Sequence, residues 1–164
     1  MRKPRLELHG GVFLADDCTV VGEVTLGRDA SVWYGVVIRG DVAAIRIGDR
    51  TNVQDTAVIH PQHDEDVSIG EEVTIGHAAV VHGRVVESRC LIGIKSVLLP
   101  GSVIGEGSIV AAGALVPEGR IVPPRSLVVG MPARVVRAVT DDELAAIVDS
   151  ARRYVDYARS PLED

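Results

Sequence analysis

The sequence predicts an all-β solenoid, a parallel β-helix of short strands, closed by a single C-terminal α-helix. Three observations predict it: an aliphatic residue at every sixth position over most of the chain, a composition almost free of aromatics, and a change to helical spacing after Thr140. The 164 residues suit one domain, with the β-helix over about 10–137 and the helix over about 140–159.

Counting in sixes meets Leu14, Val20, Leu26, Val32 and Ile38, resumes at Ile47, Val53 and Ile59 and again at Ile69, Ile75 and Val81, then runs from Val86 through Ile92, Leu98, Ile104, Val110 and Val116. Every position is Leu, Ile or Val, types that supply 51 of the 164 residues, so chance does not account for the run. A spacing of six is even. It keeps side chains on one face of a strand and does not match the roughly 3.6 residues of a helical turn. Each hexad therefore reads as one strand and one turn, three hexads close a triangle, and triangles stack at about 4.8 Å. Aliphatic residues then fill a prism, consistent with 46% hydrophobic but only 3% aromatic residues. Gly22, Gly27, Gly48, Gly70, Gly76, Gly93 and Gly105 are expected to supply the permissive backbone of the corners.

The period breaks between Ile38 and Ile47, an insertion of three, and between Ile59 and Ile69, an insertion of four. Both are expected to be loops leaving the prism. Val129 to Arg134 ends the repeat, with Pro123, Pro124 and Pro132 expected to block further ladder bonds. Beyond it, Thr140-Asp141-Asp142-Glu143 forms a capping box, and Leu144, Ile147, Val148, Ala151, Tyr154 and Val155 mark the apolar stripe of a helix that packs along the prism.

A balance of 17 basic against 23 acidic residues, net −6, with no basic run argues against nucleic acid as a partner. No signal peptide or apolar membrane span is legible, so the expectation is a cytoplasmic protein with no membrane partner. Cys18 and Cys90 lack CxxC spacing and read as small packing residues.

His60 and His82 both follow the aliphatic position of their hexads. They lie 22 residues apart, or 18 without the four inserted, which is one coil. Arg39 joins the same column by the same reckoning. His77 sits in the third slot of another hexad and so on another face; Asp55 is one coil away from it in the same slot. A three-histidine set therefore requires a second copy of the chain, and a threefold axis gives three equal sites. Three imidazoles leave an open position on zinc, the pattern of a catalytic site.

The segments Ile38-Arg39-Gly40-Asp41, Ile45-Arg46-Ile47-Gly48, Thr51-Asn52-Val53-Gln54-Asp55, Val58-Ile59-His60 and Ile75-Gly76-His77-Ala78-Ala79-Val80-Val81-His82-Gly83 resemble the gamma-class carbonic anhydrases among the hexapeptide-repeat proteins. The resemblance implies left-handed coils and a homotrimer with metal sites at its subunit interfaces. It implies Zn2+, or Co2+ or Fe2+, held by His60 and His82 of one subunit and His77 of the next. It further implies an interface ion pair of Arg39 and Asp41 with Asp55 nearby, Gln54 beside the metal-bound hydroxide that attacks carbon dioxide to give bicarbonate, and Tyr154 near the metal. The chain departs from the best-studied members in carrying Val42 directly after Asp41 and only the short stretch Pro61-Gln62-His63-Asp64-Glu65-Asp66 after the first histidine, where His63 is a candidate proton carrier. Two other readings stand beside it: a coenzyme A-linked acyltransferase or metal-dependent thioesterase, and a non-catalytic trimeric scaffold. Trp33 and Tyr34 read as packing residues at the surface.

Overall fold

The computed structural model describes residues 6–160. In chain order the strands are β1 (Leu6–His9), β2 (Val12–Ala15), β3 (Thr19–Leu26), β4 (Ser31–Val32), β5 (Val37–Ile47), β6 (Asn52–Val53), β7 (Val58–Ile59), β8 (Val67–Ile69), β9 (Thr74–Ile75) and β10 (Val80–Val81). They continue with β11 (Val85–Val86), β12 (Leu91–Ile92), β13 (Val97–Leu98), β14 (Val103–Ile104), β15 (Ile109–Val110), β16 (Leu115–Val116), β17 (Ile121–Val122), β18 (Ser126–Val129) and β19 (Arg134–Ala138), followed by helix α1 (Asp141–Arg159).

These strands stack in parallel as the three faces of a solenoid. Face one carries β2, β4, β6, β9, β12, β15 and β18. The start of β5 pairs with β7 and founds face two, continued by β10, β13 and β16. The end of β5 pairs with β8 and founds face three, continued by β11, β14 and β17. Register is set by the aliphatic hexad position: Val32 lies beside Val53, Ile38 beside Ile59, and Ile47 beside Ile69. Those residues are at most 3% exposed, so a slip of one residue would turn the whole interior outward. Val20 and Leu26 are only half-buried because β3, in the end coil, has a neighbour on one side; Leu14 of the same coil is half-buried as well.

Three expectations need correction. Of the glycines after the aliphatic positions only Gly22 (φ 82) uses the left-handed backbone; Gly27, Gly48, Gly70, Gly76, Gly93 and Gly105 are not there for conformational freedom. The corners instead place non-glycine residues at positive φ two positions later, among them Arg50 (φ 55), Glu72 (φ 55), Ala78 (φ 56) and Lys95 (φ 57). A Cβ at Gly48, by contrast, would stand 2.6 Å from the backbone nitrogen of Glu71, and one at Gly93 2.5 Å from that of Ala112. The next coil passes too close for any side chain.

Nor does the insertion between Ile38 and Ile47 leave the prism as a loop. It is a bulge within the continuous β5, which pairs with β3 on both sides of a register shift at Gly22/Val24. The second insertion does leave the prism, as the turn around the Gln62–Glu65 bridge, and the Glu65 carboxylate accepts from the Gly101 amide at 3.2 Å. Finally, Pro123 and Pro124 do not stop the ladder, since β18 continues it in parallel against β15. The solenoid ends after the cis Met131–Pro132 bond, where β19 reverses and pairs antiparallel with β18. At the opposite end β1 pairs antiparallel with β2.

Helix α1 begins at the capping box formed by Thr140 and Glu143. Arg125 binds Asp141 at 2.6 Å near the last coils, while Arg159 binds Asp29 at 2.7 Å in the first, so the helix runs back along the stack. It packs on β4, β6 and β9 through Ile147, Ala151 and Val155, all buried, with Ala158 buried further along. Under it the outward residues Ser31, Asn52 and Thr74 are buried too.

Arg137 of β19 clamps Glu143 with two bonds of 2.8 and 2.7 Å. Together with the Thr140 backbone amide, this pushes the Glu143 carboxyl down to about 2 from its ordinary 4.5. Because the folded value is the lower one, the stabilisation is complete above 4.5 and is lost as pH falls toward 2. Melting of the wild type and Glu143→Gln, followed by circular dichroism, should show a gap between them at pH 6 that narrows over that window. A gap independent of pH would refute the assignment.

Candidate metal centre

Arg39, His60 and His82 project from one corner of the solenoid in successive coils. Their stacking follows from the ladder: the His60 amide donates to the Val81 carbonyl, and Ile38 and Val81 both lie beside Ile59. The two imidazoles stack with centroids 5.4 Å apart and planes 16° apart. His82 Nδ1 donates to the His60 carbonyl at 2.5 Å, which leaves Nε2 with its lone pair free. The β5 bulge carries Asp41 to this pair, as bulges beside functional sites often do. Its carboxylate accepts from Arg39 at 2.5 Å and from His60 Nε2 at 3.2 Å. Partial desolvation pushes the Asp41 carboxyl up, but its bonds with Arg39, its own backbone and His60 outweigh that, and the group sits below its usual range.

His77, Asp55, Gln54 and Tyr154 gather at a different corner, where face one turns into face two. His77 Nδ1 stands 2.7 Å from Asp55 Oδ2, and the His77 side chain is 44% exposed. Gln54 is buried, its amide donating to Asn52 Oδ1 at 3.1 Å, while the Asn52 amide donates to Thr74 Oγ1 at 3.0 Å. Tyr154 meets Trp33 edge-on at 5.4 Å and Tyr157 at 5.7 Å. Burial first, and then the Asp55 charge, raise the Tyr154 hydroxyl above its ordinary 10.

Trp33 donates to Ser31 Oγ at 3.0 Å and lies beside Tyr34, so this pair belongs to the aromatic floor of the cluster. The Tyr34 hydroxyl is buried with no hydrogen-bond partner among the described residues. Removing it should therefore cost nothing: Tyr34→Phe is expected to melt within about 1 kcal/mol of the wild type or above it. A larger loss would reveal a partner for the hydroxyl.

The chain thus carries two separate clusters: Arg39, Asp41, His60 and His82 in one, and Gln54, Asp55, His77 and Tyr154 in the other. Among the described residues, no three His, Cys, Asp or Glu side chains of one chain converge as a metal set. His63 stands apart on the exposed turn, 2.7 Å from Asp64.

One contact of a named residue and one further residue were not foreseen from the sequence. The contact of Asp41 with His60 depends on the path of the bulge, which spacing does not encode. Asn52, which holds Gln54, belongs to a polar row of Ser31, Asn52 and Thr74 on the face that the helix covers; the row can be counted in the sequence, the bond to Gln54 cannot. Cys90 and Cys18 are free thiols, and burial pushes the Cys90 thiol up to about 12.

The donor chemistry fits a borderline divalent metal. His82 and His77 each have Nδ1 turned to an oxygen of their own chain, which leaves Nε2 as donor, whereas His60 has Nε2 turned to Asp41, which leaves Nδ1; metal-bound histidines are usually held by such a bond at the other ring nitrogen.

A family profile described as bacterial transferase hexapeptide (six repeats) matches residues 85–118. A protein of Methanocaldococcus jannaschii named "Probable carbonic anhydrase" is 51% identical over 144 residues, covering 88% of this chain and 91% of the relative. Gamma carbonic anhydrase 1, mitochondrial, of Arabidopsis thaliana is 41% identical over 154 residues, covering 90% of this chain and 56% of that longer protein. Among solved structures, a hexapeptide transferase family protein from Anaplasma phagocytophilum superposes with a TM-score of 0.88 at 37% identity, over 92% of this chain and 89% of that one. Hexad stacking, the histidine columns and these similarities over most of the chain lead to one assignment: the chain belongs to the gamma-class carbonic anhydrase family of left-handed, hexapeptide-repeat β-helix proteins.

Proposed function

We propose that the protein is a zinc-dependent carbonic anhydrase that hydrates carbon dioxide to bicarbonate, and that it works as a homotrimer with three metal sites at its interfaces. In each site His60 and His82 of one subunit and His77 of the next hold the ion. The observation that carries this reading is the division of ligands within one chain: a stacked pair 5.4 Å apart at one corner and a third imidazole at another. A threefold axis brings unlike corners of neighbouring copies together.

Zinc held by three imidazoles supplies Lewis acidity, enough to make water a nucleophile near neutral pH. Cobalt(II) or iron(II) suits the same donors. The protein residues supply the rest. Asp41 and Arg39 hold His60 in place, and the Asn52–Gln54 amide chain fixes the orientation of the Gln54 amide, which does not titrate. No helix among the described residues is long and apolar enough to cross a membrane. Free thiols are in keeping with the cytoplasm as the compartment we propose.

Elemental analysis with the mass in solution, followed by stopped-flow hydration of carbon dioxide, tests the proposal. A trimer with one metal per chain and hydration lost on chelation is expected. Acyl transfer or thioester cleavage without hydration would instead favour the transferase reading that the shared fold allows, and a metal-loaded trimer inert in both assays would favour the scaffold.

A further inference from the structure

We propose that Asp55 is a positioning residue that sets the tautomer of His77: its carboxylate keeps the proton on Nδ1 and so presents the Nε2 lone pair to the neighbouring subunit. The metal consequence rests on the function proposed above; the tautomer does not.

Asp55 and His77 occupy the same slot one coil apart, joined by the Ala78 amide donating to the Asp55 carbonyl at 2.9 Å. Each precedes a corner residue at positive φ, Thr56 (φ 60) and Ala78 (φ 56), so the two backbones leave the corner alike and the side chains run side by side. Asp55 Oδ2 and His77 Nδ1 then stand 2.7 Å apart. At that separation a bare ring nitrogen and a carboxylate oxygen would repel, so Nδ1 bears the proton.

The other two histidines are held differently. His82 Nδ1 faces a neutral backbone carbonyl, and the carboxylate near His60 lies at Nε2. Of the three, only His77 has a carboxylate at Nδ1, on the side away from the presented Nε2. An anion there raises the donor strength of Nε2. The ligand lent across the interface is thus the one whose orientation owes nothing to its recipient.

Another role for Asp55 is to bind Arg39 of a neighbour. Within the chain Arg39 pairs with Asp41 and Asp55 Oδ2 stands at His77 Nδ1; a guanidinium has donors for a second carboxylate, so the two roles are compatible and the Asp55 variants separate them.

Nitrogen-15 imidazole spectra of the metal-free protein, with the His77 signals identified by their loss in His77→Ala, should show the Nδ1–H tautomer. Asp55→Ala should shift them to the Nε2–H form or a mixture, and Asp55→Asn, which keeps an acceptor, should restore much of the original pattern. In zinc competition against a chelator, Asp55→Ala is expected to bind about 10- to 100-fold more weakly with its trimer mass unchanged, and Asp55→Asn should fall between. An unaltered tautomer in Asp55→Ala overturns the proposal. So does a variant that loses the trimer yet binds zinc normally once concentration restores it, which would make Asp55 an interface residue. Should the wild type bind no zinc, the proposed function fails, and the metal-free spectra still decide the role of Asp55.

Discussion

His77→Ala is expected to lower carbon dioxide hydration by at least about a hundredfold and to strip most of the metal, while the coils stay folded. Removing one of three imidazoles leaves two, too few for a closed-shell zinc site, which takes three protein ligands and an open position. The fold should survive because His77 is a half-exposed corner residue outside the aliphatic interior. His82→Ala should fail equally, since it breaks the stacked pair.

The two inactive variants then make a sharper test when refolded together. A subunit lacking His77 keeps its His60–His82 pair, and a subunit lacking His82 keeps His77. In trimers mixed at random from equal amounts, about one site in four combines an intact pair with an intact lent histidine. Activity near a quarter of the wild-type value is expected from the mixture, against almost none from either variant alone. A mixture as inactive as its components would mean that each site is built within one subunit, and the shared centre would have to be abandoned.

Gly48→Ala should destabilise the protein by about 3 kcal/mol or more, which is large for the addition of one methyl group. The new Cβ would stand 2.6 Å from the Glu71 nitrogen and the Gly70 carbonyl carbon, and 2.7 Å from the Gly70 oxygen. These are backbone atoms of the next coil, held by the ladder bond from the Gly48 amide to Ile69. They cannot swing aside as a side-chain tip can. Gly113→Ala is the matched control: it has a positive φ of 68° but nothing within 4 Å of the added carbon. Its cost should be limited to the roughly 1–2 kcal/mol of left-handed backbone. At about 2–4 °C per kcal/mol for a chain of this size, Gly48→Ala should melt some 6–12 °C below the wild type. Equal losses at the two positions would show that conformational freedom, and not the approach of coils, sets the glycine requirement.

That contrast also marks what the chain discloses before it is folded. The hexad period and the shared column of His60 and His82 were legible because parallel stacking makes spatial adjacency a matter of counting. Thr140 and Glu143 were legible because a capping box is closed within four residues. The path of Asp41 was not. Counting finds three extra residues after Ile38, but whether they loop out or bulge within a strand depends on β3 next door. The reason for Gly48 was hidden in the same way, since a glycine code letter does not distinguish a left-handed backbone from a neighbour pressing close. The grip of Asn52 on Gln54 required knowing that α1 covers that face and drives its polar row to find partners within the wall.

Helix α1 changes what kind of object the solenoid is. A pile of coils that touch only their neighbours behaves as a linear array, able to fray from either terminus while its middle persists. By tying Arg125, late in the pile, through Asp141 to one end of a rod whose other end holds Asp29 near the beginning, the protein joins distant rungs directly. Fraying at one terminus then works against the packing of the rod on β4, β6 and β9 near the other, and a single melting transition is the expected result.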